Sequence, residues 1–284
     1  MKKILIFMLT IPLFLVATTN PEQYLYDYIR VRSDVSGSEN VYHLTGNVYS
    51  MIPGEKSMEL FAYEGYGITK IQQSPKGYKM LAKEVGLLLD HRTLQILENW
   101  RNPFTQQQVP VIHIWNDPIN QSFEYSNETL PYISRMFPAD DLGDKMVFHN
   151  EIFPFYPHIL SRREYGLQVQ SDYFQSAELS QYTINKEDLA DSLALALPAE
   201  IYQVWISPWL PFMNMGDREG NLIFVLRGKK LSMGFEELPE RLKLYVQTNA
   251  PEFSKAPTLW SEPNMNPWLY FKQLREQNNE ESER

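Results

Sequence analysis

The residues best suited to chemistry gather around Leu94–Tyr125, LQILENWRNPFTQQQVPVIHIWNDPINQSFEY, where one histidine stands in an apolar run. In an extended chain Val111, His113 and Trp115 share one face, and Ile112, Ile114 and Asn116 share the other. Both faces are largely apolar, so His113 is shielded whichever way it points and needs a hydrogen-bond partner. Two readings follow: a packed core histidine, or a general acid/base oriented by a carboxylate. Asp117, just past the strand, and Glu151 are the carboxylates that could orient it, although Asp117 also suits an Asx turn.

His149 and Glu151, two residues apart, would share a face and could pass a proton. No third ligand stands at a diagnostic spacing, so no metal is expected. Trp115, Trp205, Trp209, Phe212 and Met213 would line an apolar ligand cavity or simply fill the core. The chain has no GxGxxG, P-loop, HExxH or GxSxG pattern, and no cofactor is expected. With no cysteine, disulfides, thiolate metal sites and cysteine nucleophiles are excluded. A net charge of −9 without any Lys/Arg run argues against a nucleic-acid footprint.

The elements that must position these residues read as strands. Val41–Ile52, Met58–Ile71, Tyr78–Leu89, Leu94–Trp100, Val109–Trp115, Asp172–Thr183, Tyr202–Ile206, Leu210–Met215 and Asn221–Arg227 are strand-like runs with turn signals between them. Val147–His158 begins as a strand and breaks at its prolines. Gly65 and Gly67 suggest bulges or bends. Asn20–Arg32 predicts a helix with Asn20 as cap and Pro21 in its first turn. Asn185–Leu195 and Glu237–Gln247 suit short helices, Asn120–Leu142 reads as loop, and 277–284 as a disordered tail. The expected fold is mainly β: an antiparallel meander forming a barrel-like, calycin-like sheet with a few short helices. An aromatic content of 13% agrees with a sheet-rich fold.

The N-terminus has the form of a secretory signal. Lys2-Lys3 precede the apolar run Ile4–Val16, and Ala17-Thr18-Thr19 supplies small residues for cleavage. The apolar run falls short of the about 20 residues of a comfortable membrane span. The expected organisation is a signal at 1–19 and one domain at 20–276, in a periplasmic or secreted protein with no membrane span after cleavage. An uncleaved anchor is the alternative.

Asn102-Pro103-Phe104-Thr105, Val111-Ile112-His113 and Asn116-Asp117-Pro118-Ile119-Asn120 resemble the central motif of the bacterial family catalogued as domain of unknown function 1838. Trp209-Leu210-Pro211-Phe212-Met213-Asn214-Met215-Gly216 resembles its second motif, and Pro263-Asn264-Met265-Asn266-Pro267-Trp268 its ending. The family pattern implies Gly-Glu after the first turn, where this chain has Gln106-Gln107. The resemblance implies a fold and carries no activity. Three functions are therefore expected to compete. One is a binder of a small apolar or aromatic molecule. Another is a proton-transfer enzyme (isomerase, lyase or cyclase) using His113. The last is an envelope interaction protein.

Overall fold

The computed structural model describes residues 20–282, so the leader expected at 1–19 lies outside the described residues. The chain enters through α1 (Pro21–Arg32). Asn20 Oδ1 accepts from the Glu22 N–H at 3.0 Å, Pro21 needs no donor at this position, and Arg30 and Arg32 complement the dipole in the last turn.

Three long strands follow as a meander: β1 (Asn40–Met51), β2 (Glu59–Ser74) and β3 (Gly77–Leu89). β2 and β3 alternate between two buried faces, and β1 buries mainly its inner one. From β2, Phe61 and Tyr63 enter one core, while Ala62, Tyr66 and Ile68 enter the other. The inner face packs on α1. The outer face packs on α5 (Glu240–Asn249) through Leu242 and Val246. The final strand β14 (Asn221–Leu231) pairs with β1, and β13 (Glu200–Ser207), β12 (Ala177–Asn185), β9 (Lys145–Ile152) and β8 (Ala139–Asp141) continue beyond it. Short strands β6 (Ile114–Asn116) and β7 (Gln121–Glu124) both pair with β3 at the other end.

The result is a ten-stranded sheet, antiparallel at every ladder, in the order β6-β3-β2-β1-β14-β13-β12-β9-β8. The mainly β, antiparallel expectation holds; the barrel-like part of it is not confirmed, because no closed barrel is found among the described residues. The two ends of the sheet are bridged by a helix instead of a ladder. On α1, Arg32 Nη2 donates to Gln121 of β7 at 3.1 Å, and Tyr28 Oη donates to Asn150 of β9 at 3.4 Å. The sheet nevertheless curls tightly. β3 and β12 stand five places apart, about 24 Å in a flat sheet at the usual strand spacing, yet both line one cavity.

Local readings depart in several places. Leu94–Trp100 is strand only at β4 (Asn99–Arg101), which pairs with β5 (Gln108–Pro110). Leu94 turns with a φ of 58°. The expected strand Val109–Trp115 is interrupted between β5 and β6, so His113 sits in the break. Leu210–Met215 is a 3-10 turn at Pro211–Met213, ended by Asn214 in the left-handed conformation, because Pro211 cannot donate to a ladder. Gly65 and Gly67 keep regular register opposite Gly86 and Glu84, and the register shift falls at Val48/Tyr49. Gly65 serves instead for close approach: a Cβ there would meet the Val85 carbonyl at 2.2 Å.

The loop expected at Asn120–Leu142 contains β7, β8 and the helical turn α2 (Ile133–Met136). The remaining elements are β10 (Phe155–Pro157) paired with β11 (Tyr173–Gln175), α3 (Arg162–Tyr165), α4 (Lys186–Ala190) and α6 (Pro267–Ser282). The last runs on through much of the stretch expected to be a tail.

Candidate functional site

Alternation along β3 places Met80, Ala82, Glu84 and Leu88 on the inner face and Val85, Leu87 and Leu89 on the outer one. Glu84 is therefore an acid in the middle of an apolar inner stripe. On β12, Glu178 shares the inner face with Tyr182 and Ile184. The curl of the sheet turns both carboxylates into one chamber of about 460 Å³, walled by Tyr63, Phe174, Trp205 and Trp268. A recess of about 120 Å³ adjoins it, with Arg32, Tyr42 and Tyr182 at its floor. Glu84, Ile119, Gln121, Glu178 and Gln203 line both spaces, so the two acids stand at the junction.

The junction is electrostatically tense. Burial raises the Glu84 carboxyl above its ordinary range, opposed by the Asn116 Nδ2 that donates to it at 2.9 Å. Burial, and then the charge of Glu84, raises Glu178 to about 7, while Arg32 pulls the other way. Tyr63 is pushed well above its usual value by burial and by both acids, so it stays a neutral phenol. An acid that holds its proton near neutrality can donate or accept one in turn. Two further polar atoms are left open: Asn116 Oδ1 and Trp205 Nε1 are buried with no hydrogen-bond partner among the described residues. Both residues line the chamber, and a buried orphan of this kind calls for a partner.

The chamber mouth is held by asparagines. Asn266 Oδ1 accepts from the N–H groups of Trp268 at 3.0 Å and Leu269 at 2.8 Å, starting α6. Its Nδ2 donates to Tyr156 Oη at 2.8 Å. Asn120 and Asn264 exchange backbone-to-side-chain bonds, each of 3.0 Å. A larger open groove of about 800 Å³ lies beyond Trp268, beside Phe155 and Tyr173. Two of its charges, Arg162 and Asp217, are already paired with each other, and it brings together no two buried carboxylates, which makes the chamber the stronger candidate.

The residues singled out from sequence scatter across the fold. Of the candidate catalytic and ligand residues only Trp205 lines the chamber, whereas the quoted motifs bring Asn116, Ile119 and Pro263–Trp268 to its wall. His113 lies toward the outer face: its Nδ1 accepts from the Leu88 N–H at 3.1 Å and its ring meets Tyr245 edge-on at 5.6 Å. Burial lowers its pKa to about 4, and no carboxylate bonds to it among the described residues. Asp117 pairs with Lys83 at 2.9 Å, and Glu151 is exposed. His149 bonds Asp140 at 3.0 Å. Trp115 packs edge-on to Phe253 at 5.1 Å in the outer core. Trp209 donates to the Arg218 carbonyl at 3.0 Å, and Phe212 and Met213 are buried in the inner core. Among the described residues no three His, Asp or Glu side chains converge as a metal site.

The quoted motifs meet in space. Asn102, fully buried, donates through Nδ2 to the Met213 carbonyl at 2.7 Å, and its Oδ1 accepts from Phe104 N–H at 2.8 Å. The first and second motifs are thus clamped together, and the Asn120–Asn264 exchange joins the first to the ending. Against known families, the profile described as Protein of unknown function (DUF1838) matches residues 37–275. The chain belongs to this family. Comparison with curated proteins finds no match. The family match covers every described strand, from β1 to β14, and ends within α6. It therefore takes in Glu84 and Glu178 but leaves out Arg32, which α1 contributes from before the matched region.

The missed residues had a faint signal. Glu84 interrupts LAKEVGLLL and Glu178 interrupts AELSQYTI, each an acid inside a strand run. Nothing local says that both face inward.

Proposed function

We propose that the protein binds a small molecule in the chamber between the curled sheet and the Pro263–Leu269 segment, its apolar or aromatic body against Trp205, Phe174 and Trp268 and its polar end at Glu84 and Glu178. The observation that carries this reading is the convergence of two carboxylates from distant strands on one aromatic-walled cavity. The open valences of Asn116 Oδ1 and Trp205 Nε1 support it. The leader-like sequence of residues 1–19 supports a site of action outside the cytoplasm.

Native mass spectrometry of the protein from its own compartment tests this. The expected result is a discrete bound mass that leaves on unfolding and is lost in Gln203→Trp, which fills the junction while the circular dichroism stays native. A bound mass that persists in Gln203→Trp would put the ligand elsewhere and overturn the reading.

A second reading, a proton-transfer enzyme on the same site, is favoured by the meeting of two buried carboxylates at the junction, where burial and then Glu84 raise the Glu178 carboxyl to about 7. This re-sites the chemistry first considered for His113. On that reading Glu178→Gln keeps the bound mass but slows turnover of that compound by about 10²–10⁴-fold, the usual share of a general acid/base. Unchanged turnover would sink it.

A further inference from the structure

Arg32 brings to this site a buried charge that no carboxylate among the described residues pairs. It is buried at 7% exposure and forms the floor of the recess. Nη1 donates to Tyr28 Oη at 2.7 Å and Nη2 to Gln121 Oε1 at 3.1 Å, both neutral acceptors. The Tyr182 ring lies 4.8 Å from the guanidinium carbon. No carboxylate comes within 4.0 Å of it among the described residues. Arg30, two residues earlier and equally enclosed, shows the usual solution: it pairs with Asp27 at 2.5 Å. A guanidinium taken out of water without a touching anion is costly unless a counter-charge arrives.

We propose that the recess is an anion subsite in which Arg32 receives the carboxylate of a small aromatic or branched apolar acid; this deepens, and rests on, the reading of the chamber as a ligand site. The guanidinium fork suits a carboxylate, and the N–H groups it does not spend on Tyr28 and Gln121 face no protein anion. A dianion such as phosphate is disfavoured, because Glu84 and Glu178 line the same recess of about 120 Å³. The apolar body of the acid fills the chamber of about 460 Å³.

The geometry couples binding to protons. Glu178 faces Glu84 of β3, Tyr63 of β2, Tyr156 of β10 and Arg32 of α1. Of these only Arg32 favours its charge. A carboxylate that occupies Arg32 removes that support and adds a like charge, so binding draws a proton onto Glu178.

The probes are 3-phenylpropanoate and its neutral amide, titrated by tryptophan fluorescence and calorimetry from pH 6 to pH 8. Both remain in one charge state across that range, so any pH dependence belongs to the protein. The expected result is carboxylate binding at least tenfold tighter than the amide, tightening as pH falls, with proton uptake. Glu178→Gln should flatten the pH dependence, and Arg32→Gln, checked for native circular dichroism, should abolish the preference. Should Arg32→Gln not fold, the carboxylate-to-amide ratio in the wild type and the Glu178→Gln profile decide alone. Equal binding of acid and amide would overturn the anion subsite and leave the chamber reading standing. If neither probe binds, the aromatic-ligand reading of the chamber falls and the subsite with it.

Discussion

Glu178 and His113 pull the stability of the fold in opposite directions over the same pH range. The Glu178 carboxyl is raised from 4.5 to about 7, so between those values the folded state holds a proton that the unfolded chain has lost, and stability falls as pH rises. Glu84, also raised, acts in the same sense. The His113 imidazole is lowered from 6.5 to about 4, so there the unfolded chain holds the extra proton, and stability rises with pH. Each full proton contributes a slope of about 1.4 kcal/mol per pH unit, and the two senses offset one another between pH 4.5 and pH 6.5. Denaturant melts of the wild type should therefore show a shallow profile in that window. Glu84→Gln with Glu178→Gln should unmask a rising slope, and His113→Gln a falling one. Parallel profiles in all of them would refute the assignment. At this scale the sequence pointed to His113 as buried and pKa-shifted, which it is. It could not show that the shift comes from burial beside Tyr245 of α5, where His113 lines a small outer pocket of about 290 Å³.

Elements were most legible where a local rule acts alone. The Asn20 cap and Pro21 fix the start of α1, and alternation fixes β1, β2 and β3. Legibility failed where the apolar pattern was read over a breaker, as at Leu210–Met215, where Pro211 bars a ladder and the run ends as a turn that Asn102 clamps from a distance. That clamp supplies an element-scale prediction. Asn102→Ala strands the Met213 carbonyl and the Phe104 N–H in the core and should cost about 2–4 kcal/mol. Four residues on, the departure from the family turn pattern has a physical meaning. Gln106 has a φ of 61°, a conformation that favours glycine. Its side chain offsets part of the strain by donating to the Pro103 carbonyl at 2.7 Å. Gln106→Gly should therefore change stability by no more than about 1 kcal/mol, in the stabilising direction. A denaturant midpoint that falls sharply would show that the side-chain bond outweighs the backbone strain.

The whole molecule is a curled sheet with unequal cover. β2 and β3 are buried on both faces over most of their length, β1 and β14 mainly on the inner one, whereas β12 turns Leu179 and Gln181 toward solvent. Hydrogen exchange should be slowest in the first group and fastest in β8, β10 and β11, whose short ladders are the least enclosed. Uniform protection would contradict this layering. The sequence by itself determined the strand alternation, the helix cap, the antiparallel class and the family motifs, because each rests on residues within a few positions of one another. The site was decided only by tertiary structure, and two acids show why. Glu64 and Glu84 both interrupt long apolar strands. Glu64 faces outward, where His43 at 3.3 Å and Arg241 at 2.5 Å hold its carboxyl below the ordinary range. Glu84 faces inward, into a cavity that exists only because the sheet curls far enough to bring Glu178 and Arg32 around to meet it. Strand periodicity tells which residues share a face, but not which face closes on itself, since curvature is a property of all the ladders together.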